Sequence, residues 1–215
     1  EQGFGDVIMF SRFALDLARR GVDVTMAVPP PLVRLFQGTP VKILPIEGPT
    51  AIPRVDYLTG AGDLPHLCGA PLNALPPPWP IRGDPRPSPG RIGVVTCGDP
   101  GHANDANRSL PPDAAASLLT LPGAVSLRPE DTGAKDFQDT ADLIAGLDRV
   151  ITVDTAVAHL SGSMGKPTTI LLPHLRTDWR WMRGRSDSPW YPGVTLIRQD
   201  ASGDWMGPVM ASKSQ

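Results

Sequence analysis

The sequence predicts an α/β protein built on parallel sheets, and three observations carry that prediction. Residues 147–172, LDRVITVDTAVAHLSGSMGKPTTILL, read as strand, helix, strand. From Arg91 onward, short apolar runs alternate with helical patterns, which indicates a parallel sheet with helices on both faces. A proline-rich stretch, with prolines at 71, 76, 77, 78, 80, 85, 87 and 89, separates this part from a smaller first part. So many prolines keep a segment extended or irregular, as a linker between domains or as a long loop within one.

The central unit is the clearest. Val150 to Val153 is apolar and short enough for one buried strand. Asp154 and Thr155 are good helix N-cap types, and Asp154 is expected to cap. Val157, Leu160, Ser161 and Met164 then recur at helical spacing. Gly165 stands where a helix stops, and Lys166-Pro167 turns the chain into a second strand, Thr168 to Leu172. Units of this kind have parallel strands. The helix start at Thr155-Ala156-Val157 therefore lies at the carboxyl end of a strand, where free amides and the helix dipole favour a phosphate.

In chain order, residues 1–21 open with a Gly-rich turn, Gly3-Phe4-Gly5-Asp6. They continue as an amphipathic helix with Val7, Ile8, Phe10, Phe13, Ala14 and Leu17 on its apolar side, ending at Gly21. Val22 to Val28 reads as a strand, Leu32 to Phe36 as a short helix and Val41 to Ile46 as a strand. Val55 to Leu58 is compatible with a strand, and Leu64 to Leu67 with a loop or turn. After the prolines come a strand at Arg91 to Thr96, a helix at Asp113 to Thr120, and a short strand at Val125 to Leu127. A helix then runs to Gly146, capped by Asp136 or Asp139. Beyond residue 172 follow a Trp-rich loop, a strand at Thr195 to Ile197 and a last helix near Asp204 to Met210.

Composition narrows the function classes. The 215 residues carry a formal net charge of -2, so there is no basic footprint for nucleic acid. Cys68 and Cys97 set no disulfide framework or metal spacing, and a reducing, cytoplasmic setting is the simpler reading. No apolar run approaches a bilayer span, and no signal peptide is visible. No Gly-x-Gly-x-x-Gly follows a strand, which argues against a nicotinamide-dependent dehydrogenase.

Four groups of residues could carry chemistry. In the opening turn, Asp6 reads first as a helix cap beside Gly3 and Gly5. The polar loop 97–111, CGDPGHANDANRSLP, follows a strand and holds Gly98, Asn104, Asn107, Arg108 and Ser109. Arg108 is its lone arginine, and a guanidinium can grip a diphosphate with two hydrogen bonds. Around Asp154 to His159, the Thr155 hydroxyl and the amides of Ala156 and Val157 are the direct candidates. His159 there is either a brace for the turn or a buried histidine. In 174–192, Trp179, Trp181, Trp190 and Tyr191 interleave with Arg176, Arg180, Arg183 and Arg185. The rings are expected to pack over the sheet edge or the first domain, with one or two arginines facing a cleft.

The stretch VDTAVAHLSGSMGKP resembles the nucleotide-binding turn of the family 9 glycosyltransferases, the heptosyltransferase-like enzymes. Their pattern reads Asp-Thr-Gly-x-x-His, then small residues, then Gly-Lys-Pro. Asp154, Thr155, His159, Gly165, Lys166 and Pro167 match, with Ala156 in place of the Gly. Asn107-Arg108-Ser109-Leu110-Pro111, Asp136-Phe137-x-Asp139-Thr140 and Asp178-Trp179-Arg180-Trp181 with Ser188-Pro189-Trp190-Tyr191-Pro192 resemble more closely the glycosyltransferase-like domains that follow tetratricopeptide repeats in longer bacterial proteins. The likeness is strongest over 91–200 and weak over 47–88.

The resemblance implies a GT-B fold, two Rossmann-like lobes with a cleft between them. Residues 1–88 would form a reduced acceptor-side lobe ending in the proline-rich linker, and 89–215 the lobe that holds a nucleotide-diphosphate sugar. It implies Asp6 as general base, and Arg108 where heptosyltransferases carry a phosphate-binding Lys. Asn107, Ser109, Asp154, Thr155, Ala156, Val157 and His159 would complete the donor site. Arg128 and Glu130 would reach the ribose and base, although a charged surface turn explains them equally. Neither a metal nor a cofactor beyond the sugar-nucleotide substrate is expected. Family members have a strand before the Gly-x-Gly-Asp turn, so the expectation is a fragment, or a strand supplied elsewhere, with an upstream repeat domain as one partner. The activity implied is inverting, metal-independent sugar transfer to an acceptor hydroxyl. The rival is a degenerate, non-catalytic module that binds a nucleotide-sugar or a protein.

Overall fold

The computed structural model describes residues 3–88 and 91–214. Expectations for Glu1, Gln2 and Pro89 lie outside these residues. Helix α1 spans Phe4–Arg19. It is followed by the strands β1, Thr25–Val28, and β2, Lys42–Pro45, which pair in parallel. Short helix α2 is Leu64–Leu67. The second part runs β3, Ile92–Val95; α3, Asp105–Arg108; α4, Pro112–Leu119; β4, Ala124–Ser126; and α5, Pro129–Thr132. It continues with α6, Phe137–Ala145; β5, Arg149–Val153; α7, Ala156–Ser163; β6, Thr168–Leu172; β7, Val194–Arg198; and α8, Met206–Lys213.

The five strands of the second part lie in the order β4-β3-β5-β6-β7, all parallel. The chain is thus an α/β protein with a Rossmann-like parallel sheet. Strand side chains alternate between two cores. Val94, Ile151, Val153 and Leu171 face Ala114 and Leu118 of α4 and Val209 of α8. On the other face, Val95 and Val150 meet Ala141 and Ile144 of α6 and Leu160 of α7. Further along that face, Ile170, Leu172 and Leu196 meet Met9, Phe10 and Phe13 of α1. One apolar face of α1 therefore docks directly on the large sheet's layer, beside Trp181, Trp190 and Tyr191.

The proline-rich stretch has no helix or strand between residues 75 and 88, as its composition requires. It is a strap bound to α6. Trp79 and Ile81 enter the core that joins β1 to α6. A side chain at Gly83 would meet the Ala141 carbonyl oxygen at 2.2 Å, so only glycine permits this approach. The Asp84 N–H donates to Asp142 Oδ1 at 3.0 Å, and Arg86 donates to Asp139 at 2.7 Å and Asp142 at 2.8 Å.

Several local expectations are corrected. Residues 55–58 form no strand; they are an exposed loop, with Tyr57 93% accessible. Residues 32–36 are not one helix but parts of two 3-10 turns, Pro30–Leu32 and Arg34–Phe36, after the prolines. Leu64 to Leu67 is a helical turn. Asp136, not Asp139, caps α6, accepting from the Asp139 N–H. Gly165 closes α7 with φ +68, as a C-terminal stop requires. Among the described residues no helix is long and apolar enough to cross a membrane.

Candidate functional site

In strand order the large sheet reads second, first, third, fourth, fifth. In a doubly wound sheet of this order the chain leaves the first strand in one direction and the third in the other, so a crevice opens between their carboxyl ends. Here those ends are Val95-Thr96-Cys97 of β3 and Val153-Asp154-Thr155 of β5. A cleft of about 1310 Å³ lies at this point. It is lined by the loops after β3, β4, β5 and β6, and by the first turn of α1.

The loop after β3 is folded tightly over Gly98. A side chain there would meet Asp105 Oδ1 at 2.3 Å and Arg108 Nε at 2.6 Å. Arg108 Nε donates to Asp105 Oδ1 at 3.1 Å, and its Nη1 donates to the Asp154 backbone oxygen at 2.9 Å. The guanidinium thus ties the loop after β3 to the start of α7. Asn107 and Ser109 do not line the cleft. Asn107 donates to Asn104 at 2.8 Å, while Ser109 accepts from the Gly98 N–H at 3.0 Å and donates to Asp105 at 2.9 Å. They hold the loop's shape rather than face a ligand.

Thr155 is the N-cap residue of α7, but its hydroxyl does not cap the helix; it lies 3.3 Å from the Thr152 hydroxyl. Asp154 does not cap it either, which corrects that expectation. Its carboxyl is pushed up to about 6, first by burial and then by the nearby Asp178. Arg108, Arg180 and the Trp181 indole oppose that rise. The indole Nε1 itself makes no hydrogen bond of ordinary length.

His159 is buried, so that part of the expectation holds, yet one edge reaches the cleft wall. Its Nδ1 is 3.0 Å from the Tyr191 hydroxyl and its ring stacks on Trp181 at 5.1 Å. Burial holds it neutral, with its pKa pushed down to about 3. Gly5 packs against it: a side chain there would meet His159 Cδ2 at 2.6 Å and Ala156 Cα at 3.5 Å. Glycine at this position brings the first turns of α1 and α7 together.

Asp6, in the first turn of α1, faces the same cleft and is ion-paired with Arg180. Arg180 also donates to both oxygens of Asp178, at 3.0 and 2.9 Å, and lies over the Phe10 and Trp179 rings. Arg176, Asp178 and Arg180 also line the cleft, as expected of one or two of these arginines, while Asp178 was given no site role. Of these, the arginines carried a sequence signal, the interleaving of charge with the Trp-rich loop. Arg128 and Glu130 line the cleft beyond β4 and pair with each other. Gly3, Ala156 and Val157 also line it. Among the described residues, no group of three or more His, Cys, Asp and Glu side chains is placed to hold a metal ion.

The fold and the cleft define an α/β protein of the Rossmann-like class with a ligand-sized crevice at its switch point. Comparisons with protein-family models, curated proteins and solved structures find no match to this chain.

Proposed function

We propose that the chain is an inverting glycosyltransferase domain that uses a nucleotide-diphosphate sugar. One observation carries the reading: the switch-point cleft gathers Arg108, the start of α7 and the carboxylate of Asp6 from three separate parts of the sequence. The α7 amides and the Arg108 guanidinium suit a diphosphate, which gains charge as it leaves. Asp6 suits the acceptor. Its carboxylate takes the proton of an acceptor hydroxyl, and the hydroxyl oxygen forms a bond to the anomeric carbon. The bond from that carbon to the diphosphate oxygen breaks, and its electron pair leaves with the nucleoside diphosphate.

Titration calorimetry with a panel of nucleoside diphosphates tests the reading. One diphosphate should bind, and Arg108→Ala should weaken it by about 10- to 100-fold, as loss of a charged hydrogen bond does. No binding to folded protein by any of them would overturn it.

A specific feature favours a second reading, a non-catalytic nucleotide-sugar-binding module. Asp6 is already ion-paired with Arg180, and a carboxylate so held receives no substrate proton until that pair opens. Retained diphosphate binding without sugar transfer, unaffected by Asp6→Asn, would select it.

A further inference from the structure

The walls of the cleft differ in chemistry. From residues 91–214 come all the lining cations among the described residues, Arg108, Arg128, Lys135, Arg176 and Arg180, together with five carboxylates. From residues 3–88 come Phe4, Val7, Ala27, Pro29, Pro31 and Ile46, with glycines 3 and 5. Asp6 is the one charged side chain on that wall among the described residues. The apolar wall is not a core turned outward by accident. Phe4 is 39% exposed, although it meets Phe137 edge to face with centroids 5.2 Å apart. Pro29 precedes and Pro31 lies within the 3-10 turn Pro30–Leu32 that follows β1, so rigid rings line the cleft there.

We propose that this wall is the acceptor subsite and that it takes an aryl alcohol. The inference rests on the transferase reading above and names its acceptor class. A polyhydroxylated or phosphorylated sugar needs hydrogen-bond donors and cations, and among the described residues no side chain of this wall supplies either, the Asp6 carboxylate being an acceptor. A flat apolar body fits against Phe4, Phe137 and the proline rings, since aromatic faces and edges pack in this way. It can place its single hydroxyl toward Asp6, which lies in the same first turn of α1 as Phe4. An apolar wall with a single placed polar group is the form in which sites hold such a body and orient its hydroxyl.

The test uses 2-naphthol as the probe, in equilibrium titrations followed by its fluorescence, with glucose 6-phosphate as the contrasting sugar. Naphthol should bind the wild-type chain more tightly than the sugar phosphate. Phe4→Ser and Ile46→Asp should each weaken it about tenfold. Both side chains are partly exposed, and unchanged circular dichroism of either variant keeps the comparison valid. Tighter binding of the sugar phosphate, no naphthol binding, or naphthol binding indifferent to both variants would overturn the proposal. Nucleoside diphosphate titrations in parallel separate the two readings. Naphthol binding without any diphosphate binding would sink sugar transfer and leave an aryl-binding wall.

Discussion

Two groups of aspartates in this fold have carboxyls pushed in opposite directions. On α6, Asp139 is held down to about 2, first by the Lys135 N–H and then by Arg86 and Arg34. Its neighbour Asp142 is also lowered, because Gln138, Arg86 and the Asp84 N–H outweigh its burial. In the cleft, Asp154 is raised to about 6 by burial and by Asp178. The α6 carboxylates are surrounded by donors that fasten the proline-rich strap and the Arg34 turn. The cleft carboxylate is surrounded by groups engaged elsewhere: Arg108 bonds its backbone, and Arg180 bonds Asp6 and Asp178. One aspartate pair in this fold is fully supplied with donors, while the cleft aspartate is left short of them. Strongly perturbed groups gather at functional sites, which makes the cleft aspartate a candidate for a role there.

The largest effect expected from this difference is on the pH dependence of stability. Asp154 is raised from about 3.8 in the unfolded chain to about 6. Between those values the folded state holds the extra proton, so stability falls as pH rises from about 4 to about 6, then levels off. The ionised form costs on the order of 2–3 kcal/mol. Asp154→Asn should remove that slope and make the protein more stable at pH 7 by up to this amount. Chemical denaturation at pH 4 and pH 7 reads it. A variant that is less stable at both would show that the Asp154 carboxylate is well satisfied, and would erase the contrast between the clusters.

Asp139 should behave in the opposite sense. Its folded value lies below its unfolded one, so its contribution is present above about pH 4 and is lost as pH falls toward 2. Its partners Arg34 and Arg86 are half exposed, and solvent screens both pairs. Asp139→Asn should therefore cost only about 1 kcal/mol at neutral pH, with no effect on diphosphate binding. Denaturation midpoints at pH 7 and pH 3 check the sign. Weaker diphosphate binding in this variant would mean that the clamp also sets the cleft.

How far these clusters were legible in the sequence follows from the physics of each. The β5-α7-β6 unit was readable because its signals are local: an apolar run, cap residues, helical spacing and a terminal glycine. Parallel pairing followed from that pattern. The strap's attachment was not readable, because Gly83 and Arg86 act through partners more than 50 residues away on α6, and Trp79 packs edge to face on the distant Phe36. Proline content shows that a segment is extended and says nothing of what it lies on. Arg108 and Asp6 could be singled out from their turns. The Arg180 bridge between Asp6 and Asp178 joins residues far apart in the chain, so only folding brings it together. Asn107 and Ser109 were placed toward the ligand by motif alone, whereas the tight fold over Gly98 turns their side chains onto the loop itself.

The smallest effect expected concerns the backbone that carries the cleft cluster. Met182 follows Trp181 with φ 54 and ψ -171, a conformation that glycine adopts freely and that costs other residues roughly 1–3 kcal/mol. The α6 cluster has no such residue: non-glycine positive φ among the described residues falls at Arg176 and Met182, both in the segment that supplies Asp178, Arg180 and Trp181. Glycine here would relieve the strain but would loosen the unfolded chain by roughly 0.5–1 kcal/mol. Met182→Gly should therefore stabilise the protein by about 0.5 kcal/mol, while Met182→Ala, which keeps the strain, should not. Thermal unfolding of the two variants side by side decides it. Destabilisation by glycine to the same degree as by alanine would show that the Met182 side chain, with its sulfur 3.7 Å from the Arg185 guanidinium, matters more than its backbone. The strain would then have no part in holding Arg180 between the two aspartates.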